Sequence, residues 1–78
     1  MSEWLTQAEI QERIRVAEIE ARWQRQLRDS AKRDMNRIRR DHPADALSFL
    51  AMQREAEFRD RLAKQFAAEA RSYKRRLV

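Results

Sequence analysis

The chain contains no glycine, and its single proline stands at position 43 of 78 residues. Glycine takes positive φ without steric cost and lets a backbone approach a ligand closely. Without it, phosphate-cradling loops and dinucleotide-binding turns have no basis in the sequence. Two-residue hairpin turns lose their preferred residue, and no run rich in Val, Ile and Thr marks a strand. Ala, Arg, Glu, Gln and Leu dominate instead, all good helix formers. The expected fold class is all-α, with Pro43 as the one strong internal break.

That break sits in Asp41-His42-Pro43. Proline disfavours α geometry in the residue before it, so a helix arriving through Arg40 should stop near Asp41. Pro43 is tolerated in the first turn of a new helix, where its missing N–H would be unpaired anyway. Asp41 is then the expected cap of that helix, with Asp45 adding negative charge to its first turn. At the other end, Thr6-Gln7-Ala8-Glu9 fits a capping box, and Leu5 with Ile10 fits the accompanying hydrophobic staple. The expected organisation is a tail over 1–5 and one domain over 6–78. Within it, helix 1 spans about 7–40, a turn 41–42, and helix 2 about 43–76.

Both helices read as amphipathic. In the second, Leu47, Ala51, Phe58, Leu62, Phe66, Tyr73 and Leu77 recur at steps of four or seven and form the expected buried stripe. Gln53, Glu57, Arg61, Lys64, Arg71 and Arg75 lie opposite. In the first, Ile10, Ala17, Ala31 and Ile38 share one heptad row, flanked by Ile14, Ala21 and Met35 on one side and by Val16 and Trp23 on the other, with Leu27 beside the second flank. So wide a band exceeds what one partner helix buries. Something besides helix 2 is expected to pack on helix 1.

Charge agrees with a fold-back. Of the residues, 40% are charged and the net charge is +5. Residues 1–20 carry −3, 21–40 carry +6, 41–60 carry −3 and 61–78 carry +5. Each helix is acidic first and basic last, which suits its macrodipole. It also matches opposite signs when the helices run antiparallel, the arrangement that a short turn demands. The sequence therefore predicts an antiparallel two-helix hairpin. A chain of this length without cysteine has no disulfide to support a small core, so dimerisation into a four-helix bundle is the expected support.

Chemistry is scarce. His42 is the one imidazole and stands before proline in a presumed solvated turn. Catalysis needs a nucleophile with a base, a carboxylate pair in a dry cleft, or a metal. Glu55 and Glu57 are two apart and point to different faces of a helix, and no Glu-x-x-His pair of the di-metal bundle type exists. The expectation is a protein that is not an enzyme, with no cofactor, metal or small-molecule substrate. No apolar stretch approaches the roughly 18 to 20 residues of a membrane span. Met1–Ile10 lacks the basic and apolar regions of a signal peptide, so a cytoplasmic protein without a membrane partner is expected.

Two sets of residues remain as candidate contacts. The apolar set, for a dimer or partner interface, is Trp4, Ile14, Val16, Ile19, Trp23, Leu27, Phe49 and Met52. Trp23 is expected between helices, where large aromatic rings belong, while Trp4 reads equally as tail or contact. The basic set is Arg33, Arg37, Arg39 and Arg40 near the turn and Arg71, Lys74, Arg75 and Arg76 near the carboxyl end. These suit nucleic acid or an acidic partner, against the plainer reading of solvated cations at helix ends. The expected function is a small protein-binding regulator, adaptor or inhibitor of the phage, plasmid or bacterial type. The alternatives are an RNA- or DNA-binding bundle and a structural subunit of a larger assembly.

Overall fold

Thr6 opens the first helix as the capping box requires. Its hydroxyl oxygen accepts from the Glu9 N–H at 3.1 Å, and the Thr6 N–H donates to the Glu9 carboxylate at 3.4 Å. In the computed structural model, which describes residues 5–77, helix α1 then runs over Gln7–Asp41 and helix α2 over Ala46–Lys74. The two pack against each other as an antiparallel hairpin measuring 55 × 17 × 14 Å. The described residues contain no strand.

The break is placed later than the sequence suggests. α1 continues through Asp41, and His42, held off α geometry by the following proline, leaves the helix at φ −139° and ψ 61°. Pro43 and Ala44 form the turn itself, closed by the Asp45 N–H donating to the His42 carbonyl at 3.0 Å. Asp45, not Asp41, caps α2: its carboxylate accepts from the Ser48 N–H at 3.1 Å. The Ser48 hydrogen bonds hold the Asp45 carboxyl below its ordinary range. Asp41 turns back to Arg40 instead, whose Nε lies 3.1 Å from its carboxylate. At the far end no glycine supplies a left-handed cap. α2 stops at Lys74, and three-residue turns follow, with Arg76 N–H donating to the Tyr73 carbonyl and Leu77 N–H to that of Lys74.

The seam between the helices alternates steps of three and four. With each helix lettered abcdefg, a and d fall at 10, 14, 17, 21, 24, 28, 31, 35 and 38 of α1 and at 49, 52, 56, 59, 63, 66, 70, 73 and 77 of α2. Every one of these residues is buried or half-buried, the pattern of a left-handed coiled coil. The α1 side follows the expected heptad row with its first flank. The α2 side follows the expected stripe only at Phe66, Tyr73 and Leu77. Ala56, Ala63 and Ala70, seven apart and 3–4% exposed, are its buried residues, while Leu47 and Phe58 stand 83% and 44% exposed. Ala17, Ala21 and Ala31 answer them from α1. Small side chains on both sides let the backbones approach closely at these layers, while Phe49, Phe66 and Tyr73 occupy other seam positions.

Polar groups within and beside the seam fix its register. Gln24, 7% exposed, accepts from Arg59 Nη1 at 3.1 Å, and Arg59 Nε also holds Glu55 at 2.8 Å. One layer on, Arg28 Nη1 reaches Asp60 across the seam at 2.8 Å, and Lys64 holds the other oxygen of Asp60 at 2.9 Å. Lys74 pairs with Glu18 at 3.0 Å. Arg13 over the Tyr73 ring and Arg39 over the Phe49 ring lock the two ends. No buried side-chain nitrogen or oxygen among the described residues lacks a partner.

Two outcomes follow from these contacts. Thr6→Ala and Asp45→Ala should each lower stability by about 0.5–2 kcal/mol in urea unfolding, while Asp41→Ala, which removes no cap, should stay within about 0.5 kcal/mol. Equal effects at 41 and 45 would contradict the cap assignment. The Lys64 and Arg28 hydrogen bonds hold the Asp60 carboxyl down from 3.8 to about 2. A depressed carboxyl stabilises the fold above its ordinary value and loses that contribution as pH falls toward the folded one. Thermal stability should therefore decline between pH 4 and 2, and Asp60→Asn should lower it at neutral pH while flattening that acid limb.

Candidate protein-docking face

Once a and d are spent on the seam, the remaining positions of an antiparallel pair divide into two broad sides. Lys32, Gln53, Asn36 and Glu57 line one groove together with Asp60, which places the e and b positions of both helices on one side. Glu18, Arg22, Arg25, Arg71 and Lys74 line a second groove farther along that side. It is a charged surface, crossed by the Glu18–Lys74 and Arg28–Asp60 pairs. Asp34 and Arg37 of α1 share a groove with Ser48 and Ala51 of α2, which places the g and c positions together on the opposite side.

Stepping by sevens from that groove locates the apolar surface. Trp23 and Val16 lie two and three heptads before Arg37, Leu27 one before Asp34, Phe58 one after Ala51 and Leu62 two after Ser48. All five therefore face the same side of the hairpin. Trp23 is 53% exposed, Val16 50% and Phe58 44%; Leu27 and Leu62 are half-buried between the helices' shoulders. Ile19, 53% exposed, adjoins them at the outer edge of α1, and Leu47 does so for α2. The middle of the face is apolar and its two ends are charged, whereas the e/b side is charged throughout most of its length.

The apolar candidates read from sequence separate accordingly. Val16, Ile19, Trp23 and Leu27 lie on this face. Ile14, only 7% exposed, is spent on the seam and offers no free surface, a correction that follows from its place in the a row. Met52 is half-buried in the same seam, and Phe49 is half-buried beneath Arg39 at 5.1 Å. Trp23 is not between α1 and α2 as expected, because it falls outside the a and d rows. Trp4 lies outside the described residues. Phe58, Leu62 and Leu47 were assigned by periodicity to the hairpin core and are surface instead. The heptad row Ala56, Ala63, Ala70 is the signal that would have released them.

The basic candidates do not form one patch. Arg33, Arg37, Arg39 and Arg40 lie near the turn, and Arg71, Lys74, Arg75 and Arg76 at the opposite end of a 55 Å rod. Several are engaged within the chain. Arg37 lies 3.6 Å from Asp34, Arg39 covers Phe49, Arg40 holds Asp41, Lys74 holds Glu18 and Arg76 covers Tyr73 at 5.3 Å. The Arg40 hydrogen bond keeps the Asp41 carboxyl below its ordinary value. Arg75 donates through Nε to the Arg71 carbonyl at 3.4 Å, while the Arg33 and Arg71 side chains project into solvent.

Among the described residues no cluster of three or more His, Cys, Asp or Glu is placed to hold a metal ion, and no helix is long and apolar enough to cross a membrane. The grooves are shallow furrows along the seam, lined largely by the same side chains that hold the two helices together. The arrangement offers area for another macromolecule to cover. Comparison with protein-family models, with curated proteins and with solved structures finds no match.

Proposed function

We propose that this chain is a non-enzymatic, protein-binding regulator or adaptor that acts as a four-helix bundle, two hairpins closing through their g/c faces. The observation that carries the reading is Trp23, a large indole left 53% exposed on the same side of the hairpin as exposed Val16 and Phe58, while the other side is largely charged with Leu50 exposed near the turn. Exposed apolar area gathered on one face, and not scattered, marks an interaction surface, and tryptophan at the centre of such a face is the residue type that most often carries its energy. A face 55 Å long and 17 Å wide spans on the order of 900 Å², close to the roughly 800 Å² per partner of a stable interface.

Stability argues the same way. The buried hydrophobic residues of the single hairpin are Ile10, Ile14 and six alanines. Alanine burial returns little beyond backbone contact, about 0.8 kcal/mol for each methylene-sized group removed from water, so the lone hairpin has a thin core. Closing a second layer over Trp23, Val16 and Phe58 adds large side chains to that core. The dispersal of the basic residues to two ends, and their engagement there, favours this protein-binding reading over nucleic-acid binding.

Light scattering on a size-exclusion column should return twice the 9.5 kDa of one chain. Trp23→Ala should keep its helicity by circular dichroism and weaken self-association by about 2 kcal/mol or more, roughly 30-fold. A wild-type chain that stays at 9.5 kDa up to millimolar concentration would remove the bundle.

A further inference from the structure

We infer that the occupant of the g/c face is a second copy seated so that α1 crosses α1 antiparallel about a twofold axis at Trp23, with α2 against α2. This rests on the self-association proposed above and specifies its geometry. The inference comes from the charges that flank the apolar centre. Along the g, c and f positions α1 reads Glu9, Glu12, Arg13, then Val16, Ile19, Glu20, Trp23, Gln26, Leu27 and Ser30, then Arg33, Asp34, Arg37.

Reversed about Trp23, the flanking charges meet their opposites, while Glu20 falls across from the partner's Leu27. Glu9 falls across from the partner's Arg37, Glu12 from the partner's Arg33 and Arg13 from the partner's Asp34, and the twofold repeats all three. Trp23 then meets its own symmetry mate, with Val16 opposite the partner's Ser30. The flanking charges are exposed and their local contacts are re-formable: Glu12 pairs with Arg15 on its own surface, and Arg37 with Asp34 at 3.6 Å with side chains 65% and 41% exposed. On α2 the same axis sets Glu55 across from the partner's Arg76. Its one like-signed pairing, Arg54 with the partner's Arg75, falls at the outer f position, where solvent screens it.

The other closed arrangement of two hairpins, with the axis along the helices, lays α1 on the partner's α2 at equal height. The register set by the cross-helix pairs then places Arg13 across from the partner's Arg76, Glu20 from the partner's Glu69 and Asp34 from the partner's Glu55. All three are like-signed, and like charges brought face to face select against an arrangement. The sequence of signs along α1 thus chooses between two bundles that share the same apolar centre.

A charge exchange that leaves each chain's net charge unchanged tests this. One variant carries Glu12→Lys with Arg13→Glu, the other Arg33→Glu with Asp34→Arg; neither touches the caps, and the one seam contact given up is Arg13 over the Tyr73 ring. In the inferred arrangement each variant alone sets like charges against like, while a mixed pair restores every opposite pairing. Analytical ultracentrifugation at low salt should show each variant associating at least tenfold more weakly than wild type, and the equimolar mixture recovering the wild-type dimer. Circular dichroism of each variant confirms that the hairpin is intact. The cysteine-free chain allows a second reading: with Trp23 left in place, Val16→Cys and Ser30→Cys chains mixed under oxidation should cross-link to each other and not to themselves.

If the wild type is dimeric but the charge mixture shows no preference, or Val16→Cys cross-links to Ser72→Cys, the geometry is overturned and the docking face stands. A wild type that is monomeric removes the docking reading together with the geometry.

Discussion

The close seating of alanine on alanine is the constraint on which the rest of this hairpin depends. Ala56, Ala63 and Ala70 present the same small side chain at each heptad of α2, and Ala17, Ala21 and Ala31 do the same from α1. A seam built that way gains backbone proximity and dispersion at short range where alanines meet, and Phe49, Phe66, Tyr73 and Leu77 fill its remaining α2 positions. Trp23, Val16 and Phe58 fall outside the a and d rows and stay exposed.

Register in such a seam is only weakly specified by its apolar residues, because alanines seven apart look alike after a one-heptad slip. The polar layers remove that ambiguity. Gln24 with Arg59 and Glu55, and Arg28 with Asp60 and Lys64, are satisfied in one alignment only. A slip of one heptad would leave a buried amide and half-buried guanidinium groups without partners, and such groups cost free energy when unpaired. Here the polar groups act as specificity elements within a seam whose apolar content is degenerate, a role attested for single polar residues in coiled coils.

Much of the fold was legible in the sequence because it depends on local chemistry. The capping box at Thr6 and Glu9 and the break at Pro43 each rest on a few neighbouring residues, and both are present in the structure. The misreadings were those that depend on which of two faces wins. Periodicity weighted by side-chain size chose the Leu47–Phe58–Leu62 stripe for α2, whereas helix packing rewarded the smallest residues, and Ala56, Ala63 and Ala70 took the seam. Similarly, Asp41 and Asp45 both carry capping chemistry. The choice between them was made by α1 extending one residue further than proline alone would suggest, which carried Asp41 into the helix and left Asp45 at the start of the next. Two i,i+4 pairs with the acid first, Glu55–Arg59 and Asp60–Lys64, form within α2, while Glu18 reaches across the seam to Lys74 at 3.0 Å.

The division between local and tertiary partners also bears on the g/c face. On the e/b side two ion pairs cross between the helices: Glu18 holds Lys74, and Asp60 holds Arg28 as well as Lys64 of its own helix. On the g/c side no cross-helix ion pair joins the flanking charges, because the facing positions carry like signs within the chain: Arg13 with Arg76, Glu20 with Glu69, Asp34 with Glu55. A single hairpin therefore keeps some electrostatic repulsion on the side where it also exposes its large apolar residues. A partner that covers the apolar centre and brings opposite charges to those flanks relieves both costs at once. In the proposed twofold pair the partner's Asp34 comes to Arg13 and the partner's Arg76 to Glu55, while Glu20 and Glu69 face the partner's Leu27 and the partner's Leu62.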